Sequence, residues 1–123
     1  MRFSPSWVES VIIKNHPRWR DVMDVTILLG SSSDLPIAQK CTKILEQFDV
    51  PYQLRVASAH RSPKFVEQIV GDAIDEGCSV FIAMAGLAAA LPGAVAALTT
   101  KPVIGVPCGG RVPYDSLLSI AQL

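Results

Sequence analysis

Two short segments of this chain carry side chains suited to holding a small anionic ligand and moving a proton on it. The first, Gly30-Ser31-Ser32-Ser33-Asp34, lies between a short apolar run and a stretch whose apolar residues recur at helical spacing. Where a strand turns into a helix, a glycine permits close backbone approach, and the helix's unpaired N–H groups and the serine hydroxyls can hold a phosphate. The carboxylate of Asp34 would suit a ribose hydroxyl. The same residues also make an ordinary capped turn with no ligand, because serine and aspartate are common there. They are not a dinucleotide fingerprint, since Gly-x-Gly-x-x-Gly is absent.

The second segment is Ser58-Ala59-His60-Arg61-Ser62-Pro63. His60 follows an expected strand directly, in a place where ligands are met. The other histidine, His16, lies far upstream, so a proton shuttle near neutral pH falls to His60 by elimination. A solvated loop histidine is the competing explanation. Arg61 beside it suits a phosphate or a carboxylate. A third segment, residues 85–93, is small throughout, and a glycine-rich turn there can wrap a flat heterocycle or allow tight helix packing. Within it, Ala85, Gly86 and Leu87 come first after an expected strand. Cys108 has no companion base by sequence and reads as a structural thiol. Ser32 lacks the Gly-x-Ser-x-Gly context of a nucleophile elbow, which argues against hydrolase chemistry.

The elements that would position these residues alternate regularly. Strands are expected at residues 25–29, 52–57, 80–84 and 103–106. The first helix is capped by Ser33 or Asp34, carries Ile37, Cys41, Ile44, Leu45 and Phe48 on one face, and closes at Asp49-Val50-Pro51. The second opens at Ser62-Pro63, turns Phe65, Val66, Ile69, Ala73 and Ile74 inward, and stops at Gly77. A third, rich in small residues, spans about 88–98. This β-α-β-α-β-α-β order predicts an α/β fold with a parallel sheet covered on both faces and ligands beyond the strands' carboxyl ends. Residues 1–23 read as an N-terminal appendage in which Ser4-Pro5 starts a short helix carrying Trp7, Val8, Val11 and Ile12. Residues 24–123 form the domain proper, and a last helix begins near Asp115.

Composition narrows the function classes. At 123 residues, half of them hydrophobic, the chain can bury one modest core. Eleven basic residues balance eleven acidic ones, which is not the footprint of a nucleic-acid or anionic-membrane binder. The cysteines, Cys41, Cys78 and Cys108, suggest neither a disulfide framework nor a zinc site and suit a reducing cytoplasm. No apolar run reaches membrane-spanning length, and no signal-peptide cleavage pattern is present.

Five segments taken together, Gly-Ser-x-Ser-Asp at 30–34, Ser-Ala-His-Arg-Ser-Pro at 58–63, residues 85–93, Pro-Val-Ile-Gly-Val-Pro at 102–107 and Asp-Ser-Leu-Leu-Ser-Ile at 115–120, carry a resemblance. The chain resembles the N5-carboxyaminoimidazole ribonucleotide mutase and aminoimidazole ribonucleotide carboxylase family of purine biosynthesis. That resemblance implies a three-layer α-β-α, flavodoxin-like sheet, a cytoplasmic homo-octamer and a site built between subunits, with no metal or organic cofactor. It implies a ribonucleotide and carbon dioxide as small-molecule partners. Gly30, Ser31, Ser33, Asp34, Ser58, Arg61, Ala85, Gly86 and Leu87 would bind the ribotide, with His60 as the catalytic acid/base. The chain departs from the family pattern at Ala90, where mutases usually have histidine, and it stops before the family's last strand and helices. A carboxylase using free carbon dioxide and a non-catalytic ribotide-binding or assembly paralogue are the alternative readings. The related pyridinium biscarboxylic acid mononucleotide synthase shares an Ala-Leu-Pro segment but not Ser-Ala-His-Arg in the same way.

Overall fold

A computed structural model of the chain describes residues 12–13, 24–86 and 90–108. The expected alternation is present as β2 (Val25–Leu29), α1 (Leu35–Gln47), β3 (Tyr52–Val56), α2 (Pro63–Asp75), β4 (Val80–Gly86), α3 (Ala90–Ala96) and β5 (Val103–Cys108), preceded by a two-residue strand β1 (Ile12–Ile13). The sheet order is β1-β3-β2-β4-β5; β3, β2, β4 and β5 are mutually parallel and β1 runs antiparallel along β3. The sequence reading put Ile12 on a helix. It pairs instead with Leu54, where the exposed edge of β3 offers unpaired backbone groups. The rest of that expected helix, Leu87 to Ala89 and everything from 109 onward, including the helix expected near Asp115, lie outside the described residues.

α1 and α2 each end where the backbone turns left-handed. Gly77 has φ 89°, and the bonds Cys78 N–H to Ala73 O (2.9 Å) and Gly77 N–H to Ile74 O (3.0 Å) close α2. Asp49 takes the same role after α1 with φ 54°, and Val50 N–H donates to Leu45 O at 2.9 Å. Aspartate tolerates this region better than most side chains. Both turns return the chain at once to a strand.

Apolar side chains cover both faces of the sheet, as parallel strands require. On one face Leu28, Phe81, Ala83 and Ala85 pack with Val66, Ile69, Val70 and Ala73 of α2 and Leu91 and Val95 of α3. On the other, Ile27, Leu29, Leu54, Val56 and Met84 pack with Ala38 of α1, flanked by Leu35, Ile37, Cys41 and Leu45. The polar pair Thr26 and Gln53, buried in register on adjacent strands, is satisfied by a 3.1 Å bond from Gln53 Nε2 to Thr26 Oγ1.

Two helix-face assignments need correction. Ile44 and Phe48 do not face the sheet: they are 52% and 74% exposed, because the sheet accommodates the stripe Ala38, Thr42 and Leu45 and leaves the neighbouring stripe outside. Ile74 on α2 is likewise exposed, and Val70 takes the inward place. Among the described residues no helix is long and apolar enough to cross a membrane.

Truncating Phe81, which is fully buried, to alanine is expected to cost about 3–5 kcal/mol. The exposed Phe48→Ala is expected to stay within about 0.5 kcal/mol of wild type. Urea denaturation of both variants checks the pair, and equal losses would contradict the packing described.

Candidate functional site

Strand order decides where the chemistry-bearing segments meet. The chain leaves β2 toward β3 and then crosses back over β2 to β4, so the connections after β2 and β4 diverge to opposite faces. That is the switch point of an open α/β sheet, and the crevice lies beyond the carboxyl ends of these two strands. Gly30 to Asp34 follows β2 and Ala85-Gly86 ends β4. The two are stitched together: Gly30 N–H donates to Met84 O at 2.9 Å. On the other side, Ala57 N–H donates to Leu29 O at 2.8 Å, which brings residues 58–62 to the same edge.

The turn after β2 holds itself closed. Ser31 Oγ accepts from Ser33 N–H at 3.3 Å and shares a 2.9 Å hydrogen bond with Ser33 Oγ. Asp34 N–H donates to Ser31 O at 3.1 Å, and Leu35 N–H to Ser32 O. Three N–H groups that an anion would need are therefore occupied, and Pro36 has none to offer. The sequence reading assigned phosphate binding jointly to backbone and hydroxyls. What the turn presents to solvent is the hydroxyls of Ser31 and Ser33, both exposed. Asp34 occupies the cap position of α1 but makes no side-chain cap bond, so its carboxylate is left for other partners.

Gly30 is not demanded by the fold. A Cβ there would lie 3.5 Å from Ala85 Cβ, which is ordinary contact, and the residue does not have a positive φ.

In the loop after β3, Ser58 is the organiser. Its Oγ accepts from Arg61 N–H at 3.2 Å, and its carbonyl accepts from Ser62 N–H at 2.9 Å and from Ser62 Oγ at 3.2 Å. Ser62 thus spends its hydroxyl on the loop and does not cap α2 with its side chain. The loop turns His60 and Arg61 outward, both exposed. A buried structural role for His60 is thereby removed. Ala85 is buried and Gly86 partly so, making the floor of the crevice small and apolar, while Leu87 lies outside the described residues. A separate groove of about 240 Å³ between α2 and α3 touches this region only at Ala59.

Sequence reasoning did not connect Cys108 with the site. The thiol ends β5 opposite Gly86, lies 3.9 Å from Val106 O, and is close enough to Asp34 for the two to perturb each other's titration. No local pattern could signal this, since residues 35–107 intervene and must first fold; only the strand order brings the two ends together. Burial raises the carboxyl of Asp34 above its ordinary range, and the nearby Cys108 thiol partly opposes that. Burial and then the negative charge of Asp34 push the thiol up to about 11. Among the described residues no three His, Cys, Asp or Glu side chains gather as a metal site.

An open parallel sheet with its polar loops gathered at a switch point defines a flavodoxin-like α/β domain. The chain belongs to the AIR carboxylase family, whose model matches residues 24–123. It is 53% identical over 100 residues to the N5-carboxyaminoimidazole ribonucleotide mutase of Methanocaldococcus jannaschii, covering 80% of this chain and 62% of that protein. It is 48% identical over 101 residues to the phosphoribosylaminoimidazole carboxylase of Candida glabrata, covering 80% of this chain and 18% of that protein. The solved structure of Treponema denticola PurE superposes with a TM-score of 0.69 at 32% identity, over 76% of this chain and 63% of that one. The chain therefore spans less than two thirds of the length of these relatives.

The thiol chemistry has a checkable consequence. In the folded chain Cys108 should resist iodoacetamide at pH 8 while the partly exposed Cys41 reacts, as read by mass spectrometry of the native and urea-unfolded protein. A folded-state pKa raised from 9.0 to about 11 also means that this group's contribution to stability is present below pH 9 and lost as pH rises through about 11. Rapid alkylation of native Cys108 at pH 8 would contradict its burial.

Proposed function

We propose that the chain is the catalytic domain of an N5-carboxyaminoimidazole ribonucleotide mutase, an isomerase that makes 4-carboxy-5-aminoimidazole ribonucleotide in purine biosynthesis. The observation that carries this reading is the convergence of Gly30 to Asp34, His60-Arg61 and Ala85-Gly86 on one switch-point crevice. Membership of the family supplies the substrate class.

In this reading the ribotide's phosphate meets the exposed hydroxyls of Ser31 and Ser33 and the guanidinium of Arg61. Asp34 accepts from the ribose hydroxyls. Ser58 shapes the loop that carries His60, and Ala85, Gly86 and Leu87 press on the imidazole ring. The exocyclic C–N bond then breaks, releasing carbon dioxide into the crevice and leaving its electron pair on nitrogen. The ring carbon attacks that carbon dioxide, forming the new C–C bond, and His60 takes the ring carbon's proton and returns it to nitrogen. Holding the released carbon dioxide close converts recapture into an effectively unimolecular step. Neither a metal nor an organic cofactor enters these steps.

The exposed apolar side chains of Ile44, Phe48 and Ile104 support assembly of several copies, the octamer that the resemblance implies, in the cytoplasm. A second reading, carboxylation of aminoimidazole ribonucleotide by free carbon dioxide, is favoured by the Candida glabrata relative, whose identity is nearly as high.

The experiment is turnover of N5-carboxyaminoimidazole ribonucleotide, and separately of aminoimidazole ribonucleotide with bicarbonate, by wild type and His60→Asn. The mutase reading expects the first substrate to be used without added bicarbonate and the variant to lose roughly 10²–10⁴-fold in kcat. Equal rates in the two proteins would remove His60 from the mechanism. Gly30→Ala supplies an independent check. It should melt at or slightly above the wild-type temperature, because alanine restricts the unfolded chain, yet bind ribotide at least about tenfold more weakly. Unchanged affinity would mean that the ligand does not approach the backbone there.

A further inference from the structure

The strand β3 sends two polar side chains toward α2, and they reach opposite ends of it. Tyr52, Leu54 and Val56 belong to the core on the α1 side, so the alternating residues Gln53 and Arg55 lie on the α2 side. Gln53 Nε2 donates to Glu76 Oε2 at 3.4 Å, just past the C-terminal end of α2. Arg55 sets its guanidinium over the ring of Phe65, in the first turn of α2, with Cζ 5.5 Å from the ring centroid. The helix runs back against the direction of β3. The Gln53 contact therefore ties the end remote from the crevice, and the Arg55 contact ties the end that adjoins it.

Between Arg55 and Phe65 runs the loop that carries His60 and Arg61. Ser58 closes it from inside, accepting from Arg61 N–H and Ser62 N–H, and Phe65 N–H and Val66 N–H donate to Ser62 O at 3.0 and 3.2 Å. These bonds fix the loop's shape and join it to the helix, but they do not fix its attitude to the sheet. That attitude follows from where the first turn of α2 is held, and Ser62 makes no side-chain cap bond there. Phe65 packs, partly buried, against the core cluster that includes Leu28 and Ala57. Arg55 is half-buried, with its Nε inside. A cation over an aromatic face is attracted by the ring's quadrupole, the more so when partly desolvated. An unbranched apolar side chain would fill the same space without desolvating a charge, so what the guanidinium adds is attraction directed at one ring.

We propose that Arg55 is a positioning residue: stacked on Phe65, it clamps the first turn of α2 to β3 and so sets the attitude at which the loop at residues 58–62 presents His60 and Arg61 to the crevice. This rests on the reading of His60 as the proton carrier and Arg61 as the anion binder. The role needs no contact between Arg55 and the ligand.

The test uses Arg55→Met, Phe65→Leu, the double variant, Arg55→Lys and, as a control at the far end of α2, Glu76→Ala. Amide hydrogen exchange of the free protein reads the loop, and steady-state kinetics with N5-carboxyaminoimidazole ribonucleotide reads the reaction, both at a temperature where circular dichroism shows the variants folded. In Arg55→Met and in Phe65→Leu, exchange of the Arg61 and Ser62 N–H groups should quicken roughly tenfold beyond any change in the amides of β2 and β4. The ratio kcat/KM should fall by a similar factor. The double variant should be little worse than the worse single one, because both act through one contact. Arg55→Lys, which keeps a cation over the ring, should stay within about threefold of wild type. Glu76→Ala should alter neither the loop's excess exchange nor kcat/KM. Equal quickening of loop and strand amides, single effects that simply add, or a loosened loop with unaltered kcat/KM would each overturn the positioning role. A wild type that turns over no ribotide, or His60→Asn at the wild-type rate, would instead overturn the underlying site reading, and the exchange measurements would still decide whether the clamp exists. Should Arg55→Met fail to fold, Phe65→Leu decides: excess loop exchange with reduced kcat/KM sustains the proposal, and a wild-type loop in the folded variant defeats it.

Discussion

The pairing of β2 with a parallel neighbour on each side is the constraint from which the remaining structure follows. Val25 to Leu29 is hydrogen-bonded to β3 along one edge and to β4 along the other, and all five residues are buried. With both edges and both faces taken, β2 has no freedom of register: a slip by one residue would exchange the side chains of the two cores. Leu29 is thus fixed opposite both Val56 and Met84. Three chain segments must then emerge side by side at one edge. The reversal of direction after β3 parts the first and third of them, and the crevice exists because of that reversal.

The polar rim is built on this frame by short local bonds. Ser31 closes one turn and Ser58 the other, each satisfying backbone donors that would otherwise need water. Such turns are inexpensive to form once their ends are held by the sheet. Their self-sufficiency has a chemical consequence. A turn whose N–H groups are already occupied offers hydroxyls rather than a nest of amides, and it keeps its shape whether or not a ligand is present. Asp34 stands apart because it is partly desolvated without a cap bond. Desolvation weakens an ionised carboxylate's place in the fold, so some stability is given up to keep that charge facing the crevice.

Most of the architecture was legible in the sequence because periodicity and turn chemistry agreed with each other. The four parallel strands, the stop at Gly77, the opening at Ser62-Pro63 and the left-turning exit at Asp49 each had a local cause. What was not legible depended on width and on distance. Ile44 and Phe48 continue an apolar stripe, and nothing in a helix's own sequence says how broad a face the sheet will cover. Two residues such as Ile12-Ile13 carry too little pattern to distinguish a strand from a helix turn, and the free edge of β3 decided it. The Asp34 to Cys108 contact required the strand order, which no window of sequence contains. The positions of Gly30, His60 and Arg61 at one edge followed from the alternation itself, whereas the occupied N–H groups of residues 33–35 appear only in the folded turn.

The binding and proton-moving parts of the site are prepared to different degrees. Ser31 and Ser33 are held by bonds within the chain, the backbone of Asp34 is tied to Ser31 O, and Ser58 fixes the backbone beneath Arg61. The His60 side chain is exposed at the crest of its loop, and among the described residues no hydrogen bond sets its ring plane. A general acid/base works through a directed proton, so its ring must be oriented at the moment of transfer. In the site proposed, that orientation arrives with the ribotide or with a neighbouring copy seated over the loop. Fixed binding groups beside a catalytic group that is completed from outside make turnover depend on occupancy and assembly.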